Sequence, residues 1–168
     1  DIGCGSGVIT RELAKQVYPA QVTGIDISRE LLEKGAQAYS IHQQGNQSQS
    51  NVTFREGSVY QLPFPASSFD VVYARFLFQH LGSPLDALNE ILRVIKQGGS
   101  ICILDVDKDW SSIYPQPEIP ITLKKAIAER QLSLGGDPYV GRKLGSYLKS
   151  SGFVDVSTSI ELVDSNRL

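Results

Sequence analysis

Short apolar runs alternate with segments of helical periodicity along nearly the whole chain, and this alternation constrains the fold more than any other feature. Runs with the length and composition of buried strands cover residues 21–28, 51–58, 69–76, 100–107 and 153–163. Because strands separated by helices are joined by right-handed crossovers, the pattern predicts a mainly parallel sheet with helices on both faces. The expected architecture is a doubly wound α/β fold.

The segments between these runs have the apolar spacing of amphipathic helices. Residues 9–17 carry apolar side chains every four residues, and Ser28 is positioned to cap a second helix over residues 29–44. A third helix is predicted from residue 85 to a left-handed glycine cap in "KQGG", and a fourth over residues 138–152. The apolar faces expected for these last two helices are formed by Leu85, Leu88, Ile91, Leu92 and Ile95, and by Val140, Leu144 and Leu148.

Residues 108–136 interrupt the alternation. Pro115, Pro117 and Pro120 precede a looser helical pattern that runs to Ile127. We expect this segment to be an excursion over the carboxyl edge of the sheet, on the side where a substrate would bind.

Composition limits the class of protein. With 168 residues, of which 41% are hydrophobic, residues 1–168 are expected to form a single domain. A net charge of -2 argues against a nucleic-acid partner, which requires clustered Lys and Arg side chains. No apolar run reaches the roughly 20 residues of a membrane span, and no secretion signal is recognised, so we expect a cytoplasmic protein. Cys4 and Cys102 lack metal-ligand spacing and are interpreted as free thiols.

The opening heptapeptide "DIGCGSG" and Asp26 belong to one predicted site. Gly3, Gly5 and Gly7 permit a tight turn whose backbone approaches a ligand closely. Asp26 ends the following strand, where an acid can accept hydrogen bonds from both hydroxyls of a ribose. In doubly wound sheets, ligands bind at the carboxyl ends of the strands where the strand order reverses. The pair therefore predicts a site for an adenosine-containing cofactor.

Two details favour S-adenosylmethionine over a nicotinamide dinucleotide. The dinucleotide fingerprint G-x-G-x-x-G requires glycine at residue 8, but that residue is Val8 and the third glycine is Gly7. The carboxylate of Asp1 would attract the ammonium group of a methionine moiety, whereas it would repel a pyrophosphate.

The chain resembles a class I S-adenosylmethionine-dependent methyltransferase of the small-molecule, UbiE-like type. The resemblance is carried, in the order of the family, by "DIGCGSG", "VTGIDIS", "LPFPASSFDVVYARFLFQHL", "ILRVIKQGGSICILD" and "LGSYLKSSGFVDV". It implies a Rossmann-like fold and in-line transfer of a methyl group from S-adenosylmethionine to a small-molecule or lipid-like acceptor. The product of the cofactor would be S-adenosylhomocysteine.

The resemblance also implies a set of cofactor-binding residues. In chain order they are Asp1, Gly3, Cys4, Gly5, Gly7, Asp26, Ile27, Ser58, Val59, Ala74 and Arg75. The opening turn would hold the methionine part, Asp26 the ribose, and residues 58 and 59 the adenine. The family usually has an acid at the position of Ser58, and because a hydroxyl forms a weaker bond than a carboxylate, we predict weaker cofactor binding than in a typical relative.

The ends of the chain depart from the family pattern. The resemblance implies several first-strand residues before Asp1 and an antiparallel seventh strand, and this sequence contains neither. We interpret the chain as a fragment of a longer protein. Because a missing strand leaves backbone groups unpaired, we expect the isolated chain to be unstable or to form an oligomer by exchanging strands.

His80 is the candidate catalytic residue. It follows the strand at 69–76 and could remove a proton from a hydroxyl or amine acceptor, although packing against the sheet or capping a turn is the alternative role. Arg75 likewise has two alternative roles, a contact with the cofactor or substrate and an ordinary surface ion pair. Asp105 and Asp107 could bind a metal ion only together with further carboxylates, and no such ligand set is evident, so no metal ion is expected.

Aromatic side chains are candidates for the wall of an apolar substrate pocket. Trp110 and Tyr114, in the proline-rich excursion, are expected to form its lid, and Tyr73, on a predicted buried strand, is expected to belong to the core.

Two further functions remain open at this stage. A non-catalytic module that binds S-adenosylmethionine is compatible with Ser58 and with the missing ends. An NAD(P)-dependent reductase is disfavoured by Asp1 and Val8.

Overall fold

The computed structural model describes residues 1–42, 51–110 and 121–160. In chain order, its main elements are α1 (Val8–Val17), β1 (Val22–Asp26), α2 (Arg29–His42), β2 (Val52–Glu56), β3 (Phe69–Arg75), α3 (Pro84–Val94), β4 (Ile95–Leu104), α4 (Ile121–Ser133) and α5 (Leu144–Ser150). Short 3-10 turns lie at Phe78–His80, Lys108–Trp110 and Val140–Lys143. The predicted alternation of helices and strands up to residue 104 is confirmed.

Ile2 joins two parallel strand pairs into one sheet. β1 pairs with β2, and β3 pairs with β4. Ile2 forms parallel bridges to Ile25 of β1 and to Ala74 of β3, which places the strands in the order β2-β1-Ile2-β3-β4. The chain moves away from Ile2 in opposite directions through the two pairs, so right-handed crossovers bring the helices to opposite faces. This arrangement confirms the Rossmann-like, doubly wound α/β fold.

The main core lies between the sheet and the helices α3 and α5. Its central side chains are fully buried and include Phe78, Leu88, Ile91, Val94 and Val140. The expected face of the last helical segment is confirmed, since Val140 and Leu144 are buried and Leu148 packs against the core. Two residues assigned to the apolar face of α3 are misplaced: Leu85 is 42% and Leu92 is 39% exposed, because Ala87 and Val94 occupy the buried side instead.

The predicted end of α3 is also wrong. The helix ends at Val94 rather than in "KQGG", and β4 begins at Ile95. The pairing of β3 with β4 jumps from Phe69–Ile95 to Val71–Ser100, so the four residues 96–99 of β4 lie opposite the single residue Asp70 of β3. Gly98 adopts the left-handed conformation with φ of 78°, but it does so within this irregular part of the strand and not at a helix cap.

Residues 100–107, predicted as a buried strand, are in part exposed. Cys102 is exposed, and on the neighbouring strand Val71 is 64% exposed. The opposite side of β3, with Val72 and Ala74, is the side that is buried in the core with α3.

The strand predicted over 153–163 is wrong for residues 153–160, which contain no strand. A strand forms only where its backbone pairs with a neighbouring strand. The apolar side chains of this segment are also not buried, since Val154 is 83% and Ile160 is 70% exposed. Residues 161–163 lie outside the described part of the chain. Within the described ranges, no helix combines the length and the apolar character that a membrane span requires.

Candidate functional site

The glycine-rich turn packs directly against the end of β1. Gly3, Gly5 and Gly7 all have left-handed backbones, with φ of 72°, 55° and 73°. The N–H groups of Gly3 and Cys4 both donate to the carbonyl of Ile25, at 2.8 and 3.0 Å. Residues other than glycine would be strained at these three left-handed positions, so the turn requires glycine at each of them.

Asp26, at the carboxyl end of β1, is tied to the turn by its side chain. Its Oδ2 accepts from the N–H of Gly5 at 2.7 Å and its Oδ1 accepts from the N–H of Ser28 at 2.8 Å. A carboxylate has about four lone-pair positions, so each oxygen keeps the capacity for one further donor. Ser28 also caps α2 as predicted, because its Oγ accepts from the N–H of Leu31 at 3.3 Å.

Asp1 has a hydrogen-bond partner that sequence reasoning missed. The hydroxyl of Thr10 donates to Asp1 Oδ2 at 2.6 Å, and Thr10 is fully buried in α1. This bond orients the carboxylate and leaves its other oxygen available. A polar residue on the buried face of an amphipathic helix, beside Ala14, is the signal that could have pointed to this role.

Cys4 lies in the turn as an uncharged thiol. Burial, together with the negative charge of Asp26, raises the pKa of Cys4 to about 11. Both Cys4 and Cys102 are free cysteines, as predicted. At neutral pH Cys4 therefore adds no charge to the site.

The turn is supported from behind by α1, α2 and β2. Arg11 donates from Nη1 to the carbonyl of Ser6 at 2.8 Å and from Nη2 to the carbonyl of Gly35 at 2.9 Å, and its guanidinium lies 4.8 Å from the ring centre of Phe54. A Cβ atom on Gly35 would lie only 2.1 Å from the Ser6 carbonyl oxygen. These contacts, which the sequence did not indicate, place α2 against the turn.

The residues expected at the adenine follow β2 and lie next to Asp26. The N–H of Gly57 donates to the backbone carbonyl of Asp26 at 2.9 Å. The hydroxyl oxygen of Ser58 accepts from the N–H of Tyr60 at 3.2 Å, and the side chain of Val59 is buried in the core. Ile27 is 75% exposed beside Asp26. This edge therefore combines an exposed aliphatic side chain with polar groups.

The residues expected on the other side of the turn, Ala74 and Arg75, are the last two residues of β3. Ala74 is fully buried and bridges Ile2, so its side chain belongs to the core. The guanidinium of Arg75 lies 4.4 Å from the ring centre of Phe76, a cation–π contact rather than the ion pair considered above. Tyr73 is half-buried rather than a full member of the core, and burial raises its pKa.

His80 ends the 3-10 turn that follows β3, and it is exposed. The turn contributes Phe78 to the core, so the role of packing against the sheet falls to Phe78 and not to His80. Trp110 is the last residue of the next 3-10 turn, whereas Tyr114 lies outside the described residues. Among the residues that the structure describes, no group of acidic, His or Cys side chains could hold a metal ion.

The glycine-rich turn and Asp26 thus meet at the carboxyl edge of the sheet, with Ser58 and Arg75 at the ends of the neighbouring chain segments, whereas the side chains of Val59 and Ala74 lie in the core. A doubly wound sheet with a glycine-rich turn at its switch point and an acid after the next strand defines a class of nucleotide- and nucleoside-binding α/β proteins. The particular member of this class is given by comparison with known proteins.

Residues 1–103 match the family model described as a methyltransferase domain. The chain is 35% identical over 155 residues to an uncharacterized methyltransferase of Schizosaccharomyces pombe, covering 92% of this chain and 55% of that protein. It is 33% identical to an O-methyltransferase of Penicillium expansum, and the match covers 94% of this chain and 52% of that protein. The crystal structure of the cyclase SpnF superposes with a TM-score of 0.66 at 23% identity, covering 90% of this chain and 50% of that one.

The chain therefore belongs to the methyltransferase domain family, and the resemblance to class I S-adenosylmethionine-dependent methyltransferases is confirmed. It spans about half the length of these curated relatives.

Proposed function

We propose that this chain binds S-adenosylmethionine and transfers its methyl group to a small-molecule or lipid-like acceptor. The observation that carries the proposal is the bond between Asp26 and Gly5, which joins the predicted ribose acid to the glycine-rich turn. Family membership supports the cofactor, since residues 1–103 contain both parts of this site.

The donor set suits the cofactor. Asp26 retains two acceptor positions for the two ribose hydroxyls, and Asp1 retains a carboxylate oxygen for an ammonium group. Ile27, which is 75% exposed at the same edge, offers an apolar contact to a ring. The neutral thiol of Cys4 avoids a further negative charge next to Asp26.

When bound, S-adenosylmethionine supplies an electrophilic methyl group on a sulfonium. The role of the chain is to align the acceptor and exclude water. We propose that residues 108–136 form the acceptor side and that His80, exposed beyond β3, accepts the proton of a hydroxyl or amine acceptor. Arg75, whose guanidinium stacks on the ring of Phe76 at the end of β3, would border the same space.

The first test is calorimetric titration of the chain with S-adenosylhomocysteine. Asp26→Ala should weaken binding at least tenfold, because it removes charge-assisted acceptors and also releases the Gly5 amide. Asp70→Ala is the matched control, since Asp70 is an exposed acid at the start of β3 that pairs with Lys96 at 2.8 Å. No binding by a folded wild-type chain, or equal loss in both variants, would refute the assignment.

The second test is a screen of hydroxyl and amine acceptors for release of S-adenosylhomocysteine. We expect His80→Gln to lower the rate of transfer and to leave binding of S-adenosylhomocysteine unchanged. Binding without release on any acceptor would favour the non-catalytic module, and oxidation of NADH or NADPH would favour a reductase.

A further inference from the structure

The backbone of Gln79 is tied to distant segments at both of its polar groups. Gln79 is the middle residue of the turn Phe78–His80. Its N–H donates to Oδ2 of Asp105, just beyond β4, at 3.2 Å. Its carbonyl accepts from Nε2 of Gln131 at 2.8 Å and from the N–H of Asp137 at 2.9 Å. The residue next to His80 is therefore held from two sides.

Gln131 connects three segments of the chain. It lies in α4, half-buried, one turn after Ala128. Its Nε2 donates to the Gln79 carbonyl after β3, and its Oε1 accepts from Nζ of Lys108 in the turn after β4. One side chain thus links α4 to both loops that leave the carboxyl edge of β3 and β4.

The packing around these bonds is close. A Cβ atom on Gly136 would lie 2.5 Å from the Gln79 carbonyl oxygen and 3.1 Å from Cγ of Gln131, so glycine is required for this approach. The carboxyl of Asp105 also accepts from the N–H of Val106 at 2.9 Å. Burial raises the pKa of Asp105, and these backbone bonds and the nearby His80 oppose that rise.

We infer that Gln131 is a positioning residue for methyl transfer. Its side chain fixes the turn that carries His80, so the position of His80 depends on the position of α4. This inference rests on the proposed function, because it assumes that His80 meets the acceptor. The helix α4 thereby acquires a specific role, since it aligns the proton acceptor while leaving the glycine-rich turn and Asp26 untouched.

Two substitutions separate the contacts of Gln131. Gln131→Leu has a similar size and removes all hydrogen bonds of the side chain, whereas Gln131→Glu keeps an oxygen for Lys108 and cannot donate to the Gln79 carbonyl. Glu129→Ala is the matched control on α4, because Glu129 is exposed and faces Lys125 at 3.7 Å. Denaturant unfolding of each variant establishes that it is folded.

The deciding readout is the NMR spectrum of the histidine rings. The chain has two histidines, so the ring signals are few, and His80→Gln assigns them. We expect the His80 signal to shift or broaden in Gln131→Leu and Gln131→Glu and to stay unchanged in Glu129→Ala, with the signal of the other histidine constant in all three. An unchanged His80 signal in folded Gln131→Leu would overturn the inference.

Kinetics supply the second readout. With an acceptor found in the screen, both Gln131 variants should lower kcat roughly 10- to 100-fold, the effect expected of a small misplacement, and change KM for S-adenosylmethionine less than about twofold. A raised KM for S-adenosylmethionine with an unchanged kcat would contradict a positioning role. If the wild-type chain fails to bind S-adenosylhomocysteine, the proposed function fails, whereas the NMR result still decides whether Gln131 controls the His80 turn.

Discussion

Gly35→Ala should destabilise the protein, although alanine is normally the better helix former. Gly35 lies inside α2, where the exchange would stabilise an exposed helix by about 1 kcal/mol. Here the added Cβ would lie 2.1 Å from the Ser6 carbonyl oxygen, a contact with backbone that only a movement of α2 or of the glycine-rich turn can relieve. The same movement disturbs Arg11, which bonds the carbonyls of both Ser6 and Gly35.

The expected net effect is a loss of roughly 1.5–5 kcal/mol in the free energy of unfolding. Overpacking costs about 1–3 kcal/mol, and one hydrogen bond to a charged group contributes about 1.5–3 kcal/mol, against the gain of about 1 kcal/mol in helix propensity. Urea unfolding measures this quantity directly, and the m-value should stay constant if only the stability changes.

Gly145→Ala in α5 is the control. Its Cβ would meet only the Cγ2 atom of Thr158, at 2.9 Å, and Thr158 is exposed, so a rotation of that side chain relieves the contact. We expect this variant to stay within about 1 kcal/mol of the wild type. If Gly35→Ala is as stable as Gly145→Ala, the argument that α2 is pressed against the turn is refuted.

Three further predictions concern single groups. Ser58→Asp should tighten binding of S-adenosylhomocysteine in calorimetry, because a carboxylate forms a stronger bond to the adenine amino group than a hydroxyl does, and an unchanged affinity would mean that residue 58 does not touch adenine. Arg142 holds the pKa of Asp107 below its usual value, so the pair stabilises the fold above about pH 3.9 and loses this effect as the pH falls through the lower folded-state pKa. Asp107→Asn should accordingly cost about 0.5–1 kcal/mol at pH 7, and its unfolding curve should approach that of the wild type as the pH falls below the folded-state pKa of Asp107. With a pKa of about 11, Cys4 should react with iodoacetamide at pH 7.5 roughly a hundredfold more slowly than an unperturbed cysteine. Cys102 is exposed, and mass spectrometry showing rapid labelling of Cys4 would contradict the burial of Cys4.

Local patterns account for what could be predicted at the site. The glycines of the opening turn, Asp26 at the end of β1 and the Ser28 cap can each be recognised within a few residues of sequence, because they express backbone conformation and strand or helix ends. The strand–helix alternation also follows from local periodicity, and right-handed crossovers then leave few topologies. For the same reason, the carboxyl edge of the sheet can be predicted from the sequence as the candidate site.

Boundaries and pairings were less predictable. The end of α3 at Val94 depends on how β4 pairs with β3 across residues 96–99, and the absence of a strand over 153–160 depends on whether a neighbour is there to pair with. Apolar periodicity within a segment contains no information about either.

The sequence alone determined the fold class, the turn and the acid of the site, because these depend on residues adjacent in the chain. Tertiary structure alone decided that Thr10 orients Asp1, that α2 touches Ser6 at Gly35, and that Gln131 reaches Gln79. Each of these contacts joins elements whose separation in space is set by packing of the whole domain. Side chains that meet only after the sheet and helices have assembled leave no periodic trace in the sequence.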